Sequence, residues 1–425
     1  MTRKILITLC LIMLTEIGLF AQTEILQLST KEAERYAIEH NKLIENASLD
    51  VKKAEATKWY SISTMLPQVN GTLDYTDYLG YELVLMGMPI PMKSTSNLTV
   101  QASIAVSGVQ IVSATLGKLA VEMAKTNHQK TEQNIKAQVR TLYFSILAME
   151  NTIELLTQSM ENMLHLEKIA QNAVDVGVSE QTNADQISVQ VFSMQNSINS
   201  TQRTIEMLYN SMCLMLGAAV DTKIELTETI DNILNIENTN KLLNESFLPT
   251  NNLDYQLVQK NVELTKKQLR INEWAYGPTF SAFYQYKKKI QTTDFDMNPP
   301  QIVGLSLNIP VFSSGSRLAK VNEAKCTYKA AINSMEILKD QLKIQDKQLR
   351  YNLRSGMENY DVQRKNIEVS QRVFNSISNK YEYGHASSMD VTNSSMNLIN
   401  AQSNYIRAML DLLNAQIELE TLLNK

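Results

Sequence analysis

Residues 135–163 read IKAQVRTLYFSILAMENTIELLTQSMENM. Apolar side chains recur at Ile135, Val139, Leu142, Ile146, Met149, Ile153, Leu156, Met160 and Met163. The steps alternate four and three, the seam of a helix that packs along another helix. Polarity rises at Val176-Gly177-Val178-Ser179. A second seam then runs through Val191, Gln195, Ile198, Gln202, Ile205, Tyr209, Met212 and Leu216. A long helix, a glycine-marked turn and a returning helix account for both. The pattern recurs 207 residues on. Leu349, Leu353, Gly356, Tyr360, Gln363, Ile367, Ser370, Phe374 and Ile377 lead out, and Gly384 stands where Gly177 stood. Leu398, Gln402, Tyr405, Met409, Leu412, Gln416, Leu419 and Leu423 return, with Gln402 matching Gln195 as an expected core glutamine. The chain therefore reads as an internal duplication built on two long helical hairpins. The first outgoing helix, from about residue 115 to 175, would be roughly 90 Å long, and only partner helices could stabilise it.

Toward the N-terminus, Ser29-Thr30-Lys31-Glu32 is a capping box. It opens a helix expected from Thr30 to Leu66 and stopped by Pro67. The counterpart runs from Leu253 to Tyr276 and stops at Pro278. Behind each proline the period falls to two. Leu98, Val100, Ala102, Ile104 and Val106 alternate with Thr99, Gln101, Ser103, Ala105 and Ser107. Val303, Leu305, Leu307, Ile309 and Val311 alternate with Gly304, Ser306, Asn308 and Pro310. Preceding strands carry Val69, Gly71, Leu73 and Tyr75, then Phe280, Ala282, Tyr284 and Tyr286. Strands of ~10 residues with one apolar face match tilted transmembrane β-strands. Tyr75, Tyr78, Tyr81, Phe283, Tyr284 and Tyr286 suit an interfacial aromatic girdle. A small soluble sheet with tyrosines on one face would also alternate.

These signals divide the chain into a first repeat over residues 22–247, with strands at about 67–110, a tip near 177 and a belt segment over 218–247. The second repeat covers 248–425, with strands at about 278–312 and a tip near 384. In the belt, Lys223 to Leu226 suggests a short strand and Asn232 to Asn244 a short helix. The helices resume after the strands at about Thr115 and Ser316. From Ala124-Lys125 and Ala324-Lys325 to the tips, the second repeat is one heptad longer, which preserves a coiled-coil seam. The loop Leu79 to Lys93 carries Met86, Met88 and Met92 beside Pro89 and Pro91. Apolar loop contacts are a simpler account of it than Cu(I) binding.

Arg3-Lys4, the apolar run Ile5 to Leu14 and the small Ala21 read as a signal peptide over residues 1–21. Net charge is −4, and Lys287-Lys288-Lys289 is the longest basic run, so nucleic acid is not an expected partner. No later stretch is apolar enough to span a membrane as a helix. Beyond Cys10, only Cys213 and Cys326 remain, too few for a disulfide framework. His40, His128, His165 and His385 include no i, i+4 pair, and no HExxH, GxSxG, P-loop or CxxC motif occurs. No enzyme, metal or cofactor is expected.

The ordered pieces resemble the TolC-like outer membrane efflux protein family. Leu66-Pro67-Gln68-Val69 is similar to the family's entry into its first strand. Leu307-Asn308-Ile309-Pro310-Val311-Phe312, Gly315 and the run Ala319 to Ala324 are similar to its strand-to-helix junction. Tyr383-Gly384, Ser387, Asp390-Val391, Tyr405 and Leu412 resemble the second tip and its return helix. Leu216-Gly217, Asp221 and Ile224-Glu225-Leu226 resemble the join between repeats.

The resemblance implies a homotrimer in the outer membrane of a Gram-negative bacterium. Its fold class would be mainly α with a membrane β-barrel. Two strands per repeat would give a trimeric 12-stranded barrel in outer membrane lipid, continued by a periplasmic α-barrel tunnel. The function implied is the exit duct of a tripartite efflux or type I secretion system. Val176, Gly177, Val178 and Ser179, with Tyr383, Gly384, His385 and Ser387, would be the tips that dock a periplasmic adaptor protein, itself joined to an inner-membrane transporter. Asp390 matches a residue of the family's periplasmic constriction. The family often has a second acidic residue one helical turn on; Asn393 takes that place here, and Asn183 takes the Asp390 place in the first repeat. Asp390 could instead cap its helix. Strand phase puts Val100, Ile104, Leu305 and Leu307 toward lipid, and Gln101, Ser103, Ser306 and Asn308 toward the lumen. The alternative is an exported coiled-coil scaffold that does not insert.

Overall fold

The structure, a computed structural model, describes residues 25–233, 236–291 and 299–425. The expected signal peptide over 1–21 and residues 292–298 of the second strand loop lie outside these. The described chain divides into two compact units. One holds residues up to 45, 131–252 and 342–425; the other holds 46–130 and 253–341. Each draws on both repeats.

In the first unit, β1 (Leu26–Leu28) pairs in parallel with β6 (Ile224–Leu226). β1 is a strand the polar-looking start did not announce. The capping box forms: Ser29 caps α1 (Thr30–His40), and Glu32 bonds back to the Ser29 N–H at 2.8 Å. The expected single helix to Leu66 is broken at Asn41, and α2 (Lys42–Ser63) begins beyond it. Asn41 is extended and buried, donates to Met215 O at 2.6 Å and accepts from Leu43 N–H at 2.7 Å. A tertiary anchor thus overrides helical propensity there.

The outgoing helices are α3 (Gly108–Asp175) and α8 (Ser316–Glu382), of 68 and 67 residues. The returning helices, α4 (Gln181–Leu216) and α9 (Ser388–Leu423), have 36 residues each and start 207 positions apart. Four helices share one core: Met163 and Leu166 from α3, Ile187 and Met194 from α4, Phe374 from α8, and Val391 and Leu398 from α9. Gln402 is buried and donates to Ser159 Oγ at 3.3 Å. Gln195 is not in the core. It is exposed and donates to Asn199 on its own helix, while Met194 takes the buried place. Gln202 is exposed too, so the seam of α4 runs Ala184, Ile187, Val191, Met194, Ile198. Tyr143 is also buried, and its hydroxyl donates to Leu28 O at 3.0 Å, tying β1 to α3. The expected belt helix divides into α5 (Ile230–Ile233) and α6 (Ile236–Leu243).

The second unit is a sheet with helical leads. The sheet order is β2 (Gln68–Thr76), β5 (Thr95–Ser107), β7 (Thr279–Gln291) and β8 (Gln301–Asn308), each pair antiparallel. β2 follows α2, and β7 follows α7 (Leu253–Trp274). β8 stops before Ile309, because Pro310 has no N–H to extend a ladder. Repeat one resumes its helix at Gly108, well before Thr115. Ser107-Gly108-Val109-Gln110 is a second capping box: Gln110 N–H donates to Ser107 Oγ at 3.3 Å, and Ser107 N–H donates to Gln110 Oε1 at 2.9 Å. Gly108 also permits the approach of Trp274, whose ring would lie 2.2 Å from a Cβ placed there. In repeat two the Ser313–Gly315 turn delays the helix to Ser316. The outgoing helices therefore end up nearly equal in length despite the extra heptad. The methionine loop is a ribbon, β3 (Glu82–Leu85) with β4 (Met88–Pro91), turning at Met86-Gly87. Met86 is 95% exposed, so its expected apolar packing is absent.

Candidate functional site

The two tips lie in the first unit and share one local geometry. Gly177 and Gly384 are left-handed, at φ 76° and 74°. Past each, the chain closes a six-residue loop onto its own helix: Val178 N–H donates to Ala173 O at 2.9 Å, and His385 N–H to Lys380 O at 2.7 Å. These are Schellman caps, for which glycine is suited because it has no Cβ to strain. They turn apolar side chains outward. Val176, Val178 and Tyr383 are 73%, 78% and 77% exposed, and Gly177, Gly384, His385 and Ser387 are exposed with them, while Ser179 is half-buried.

Asp390 sits in the capping box of α9. Its carboxylate accepts from Ser387 N–H at 2.9 Å and from Ser387 Oγ at 2.7 Å. The Ser387 backbone, then its hydroxyl, holds the Asp390 carboxyl below the usual aspartate range. Both donors to this carboxylate come from Ser387, three residues before it in the chain. Asn393 is exposed. Asn183 donates to Ser179 Oγ at 3.1 Å, and its Oδ1 lies 3.0 Å from Ser388 Oγ; that hydroxyl is also 2.8 Å from Gln186 Oε1. Ser388 is buried, so the two tips are bonded to each other. Heptad reading passed over this contact because Ser388 carries no apolar signal.

The sheet in the second unit has two chemically distinct faces. Directly paired residues on neighbouring strands share a face. Ile104, Ala282 and Leu305 form one row, and Val106, Phe280 and Leu307 the next. Val100 pairs with Gly71 and Tyr286 on the same side. Gln101, Ser103, Ser306 and Asn308 lie on the opposite side. Tyr75, Tyr284 and Tyr286 belong to the apolar face. Phe283 does not: its ring covers Gly304 on the polar face, within 2.4 Å of where a Cβ would be. Leu305 is 85% exposed on a fully formed strand. β2 and β8 are open edges.

Among the described residues no group of histidine, cysteine and carboxylate side chains is arranged to hold a metal, and no helix is long and apolar enough to cross a membrane. His165 faces Glu382 at 3.5 Å, a surface pair. A sequence profile of the outer membrane efflux protein family matches residues 35–218 and 248–425. The chain belongs to that family. This efflux-family chain is accordingly an outer membrane channel with a periplasmic helical part, a passive conduit rather than an enzyme. Its fold is similar to that of the outer membrane protein VceC from Vibrio cholerae, with TM-score 0.77, 14% identity, and coverage of 93% of this chain and 95% of VceC. It is similar to the CmeC outer membrane channel of Campylobacter jejuni, with TM-score 0.76, 13% identity, and coverage of 93% and 85%. The open-state MtrE outer membrane channel of Neisseria gonorrhoeae gives TM-score 0.76, 14% identity, and coverage of 93% and 88%. No curated protein matches the chain closely enough to report.

Proposed function

We propose that three copies close one 12-stranded barrel and form the exit duct of a tripartite efflux or secretion assembly. The observation that carries this reading is the open four-stranded sheet, apolar on one face and unpaired at β2 and β8. In lipid every edge N–H and C=O needs a partner, and four strands cannot close alone. Three copies give the even, antiparallel closure that joins each β8 to a neighbouring β2. Ile344, Tyr351, Val362 and Val369 add support. They follow on α8 at steps of 7, 11 and 7, all exposed, a stripe suited to the helices of another copy.

The tips are the docking sites for a periplasmic adaptor, through the exposed Val176, Val178 and Tyr383, and the adaptor links the duct to an inner-membrane transporter. Three-fold symmetry gathers three Asp390 carboxylates about the axis, with Asn393 and Asn183 beside them as the constriction. The Ser388 contact to Asn183 and Gln186 holds the two tips together until the adaptor parts them. Crosslinking and co-purification from the native envelope test the docking claim. Val178→Glu with Tyr383→Glu should abolish adaptor recovery and leave the trimer intact. Unchanged recovery would remove the tips from the docking role.

A further inference from the structure

We infer that the helix ends beneath the sheet bind an anionic phospholipid of the periplasmic leaflet, with its phosphodiester held by Lys118 and Arg270 and its acyl chains against Trp274. The inference rests on the membrane-barrel reading above. Composition changes where strands pass into helices. Segments 57–67, 108–118, 268–278 and 309–319 flank the four strands at this end. They carry Lys58, Lys118, Arg270 and Arg317 against Glu273 alone. They also hold Trp59 and Trp274, the only tryptophans in the chain. Among the described residues none of these five charged groups is ion-paired. Arg317 lies over the Tyr276 ring and donates to Pro310 O. Tryptophan and tyrosine beside basic groups is the composition of a membrane–water interface. The loop after Gln291 joins β7 to β8 at their opposite ends, a strand length away.

Local packing puts these groups on the lipid side. Val106 and Phe280 belong to the apolar sheet face, and Ile111 and Trp274 line one pocket with them. Arg270 precedes Trp274 by four residues and Lys118 follows Ile111 by seven, spacings that keep each pair on one helix face. Lys118 also borders a groove with Lys58 and Lys267, where Glu122 and Glu263 are the opposing carboxylates. Glu263 lies 3.7 Å from Lys267. Both carboxylates sit one turn farther from the strands than the neighbouring lysine, so a headgroup meets the cations first. Lys118 is roughly 15 Å along α3 from Gly108. Helical side chains lean toward the N-terminus, which brings its ammonium back toward a polar headgroup layer ~6 Å deep. A zwitterionic headgroup carries its own ammonium, which these cations repel; a headgroup without an amine has no such penalty.

The test is tryptophan fluorescence of the full-length Trp59→Phe protein in lipid nanodiscs, which reads Trp274 alone. Phosphatidylglycerol brominated on its acyl chains should half-quench Trp274 at a mole fraction about tenfold lower than brominated phosphatidylcholine, given roughly fivefold in affinity per basic group at an anionic surface. Lys118→Gln with Arg270→Gln should bring that ratio close to one. Lys347→Gln, an exposed lysine far along α8, should leave it unchanged. At 1 M salt the Debye length falls to about 3 Å, and the preference should shrink. Millimolar inorganic phosphate should not reverse the quenching, which separates a lipid headgroup from a free anion. Equal quenching by the two lipids would overturn the inference and leave the channel reading standing. So would a preference that survives in the folded double variant. No quenching by either lipid would take Trp274 away from the membrane, and the barrel placement would fall with the inference.

Discussion

Single residues separate the roles that the pattern proposes. Ile104 and Ser103 are neighbours on opposite faces of β5, paired with Ala282 and Phe283. If the apolar face meets lipid, Ile104→Arg near the midplane costs roughly 2–4 kcal/mol, and Ser103→Arg costs much less. Chemical unfolding of the extracted protein reads the difference, and cysteines at the two positions should label unequally with a water-soluble reagent in intact membranes. Equal labelling would contradict the face assignment. Asp390 makes a pH prediction. A carboxyl whose pKa is depressed on folding contributes stability above its unfolded value, and that contribution is lost as pH falls through the folded one. Going down from about pH 4, wild type should lose melting temperature faster than Asp390→Asn, because only wild type has this carboxylate to protonate. Parallel melting curves would confine Asp390 to other work. Conductance is the companion measurement: Asp390→Ala should raise it if the residue lines the constriction, and leave it unchanged if the residue only caps α9. The glycines also differ. Gly177 and Gly384 have positive φ and open space, whereas a Cβ on Gly217, φ 75°, would lie 2.3 Å from His40 O. Alanine should therefore cost about 1 kcal/mol at either tip and clearly more, above 2 kcal/mol, at Gly217. Thermal denaturation gives the ranking.

Elements were legible where one physical signal dominated. The heptads gave both hairpins, and the period-two stretches gave the central strands, because burial on one side imposes those spacings. What sequence reading missed has local or tertiary causes. The break at Asn41 depends on Met215 O, a partner 174 residues away. The early start of α3 was written in Ser107 and Gln110, a capping pair hidden by the preceding alternation. A four-residue step from Val191 points to Gln195 as the core residue, but the helix takes three residues to the buried Met194. One element-level contact had no sequence signature. Arg140 of α3 bonds Glu420 of α9 at 2.5 Å and lies 3.6 Å from Glu34 of α1. Burial pushes the Glu34 carboxyl up, and Arg140 pulls it down less. Arg140→Ala should leave two partly buried carboxylates without their cation and cost roughly 1–3 kcal/mol. Adding Glu34→Gln should recover part of that loss. A urea midpoint unmoved by Arg140→Ala would show the three helices to be held by packing alone.

At the scale of the molecule, duplication is the organising fact. Two hairpins at an offset of 207 residues supply two strands each, and the strands meet in one sheet that neither repeat could build. Family membership follows from nearly the whole chain rather than from any single motif. The roles proposed for the tips and for Asp390 are harder to read. The geometry of these residues is local capping, and the chemistry proposed for them depends on three-fold neighbours and a partner protein that one sequence does not contain. A scaffold that stays in solution would have no use for a sheet with Leu305, Leu307 and Val303 exposed on one face between two bare edges. Closure by copies of the same chain is therefore the central claim. Native mass measurement of the detergent-extracted, folded protein tests it most directly. The predicted result is a smallest folded species of three chains, stable on dilution. A folded monomer or dimer would contradict the shared barrel.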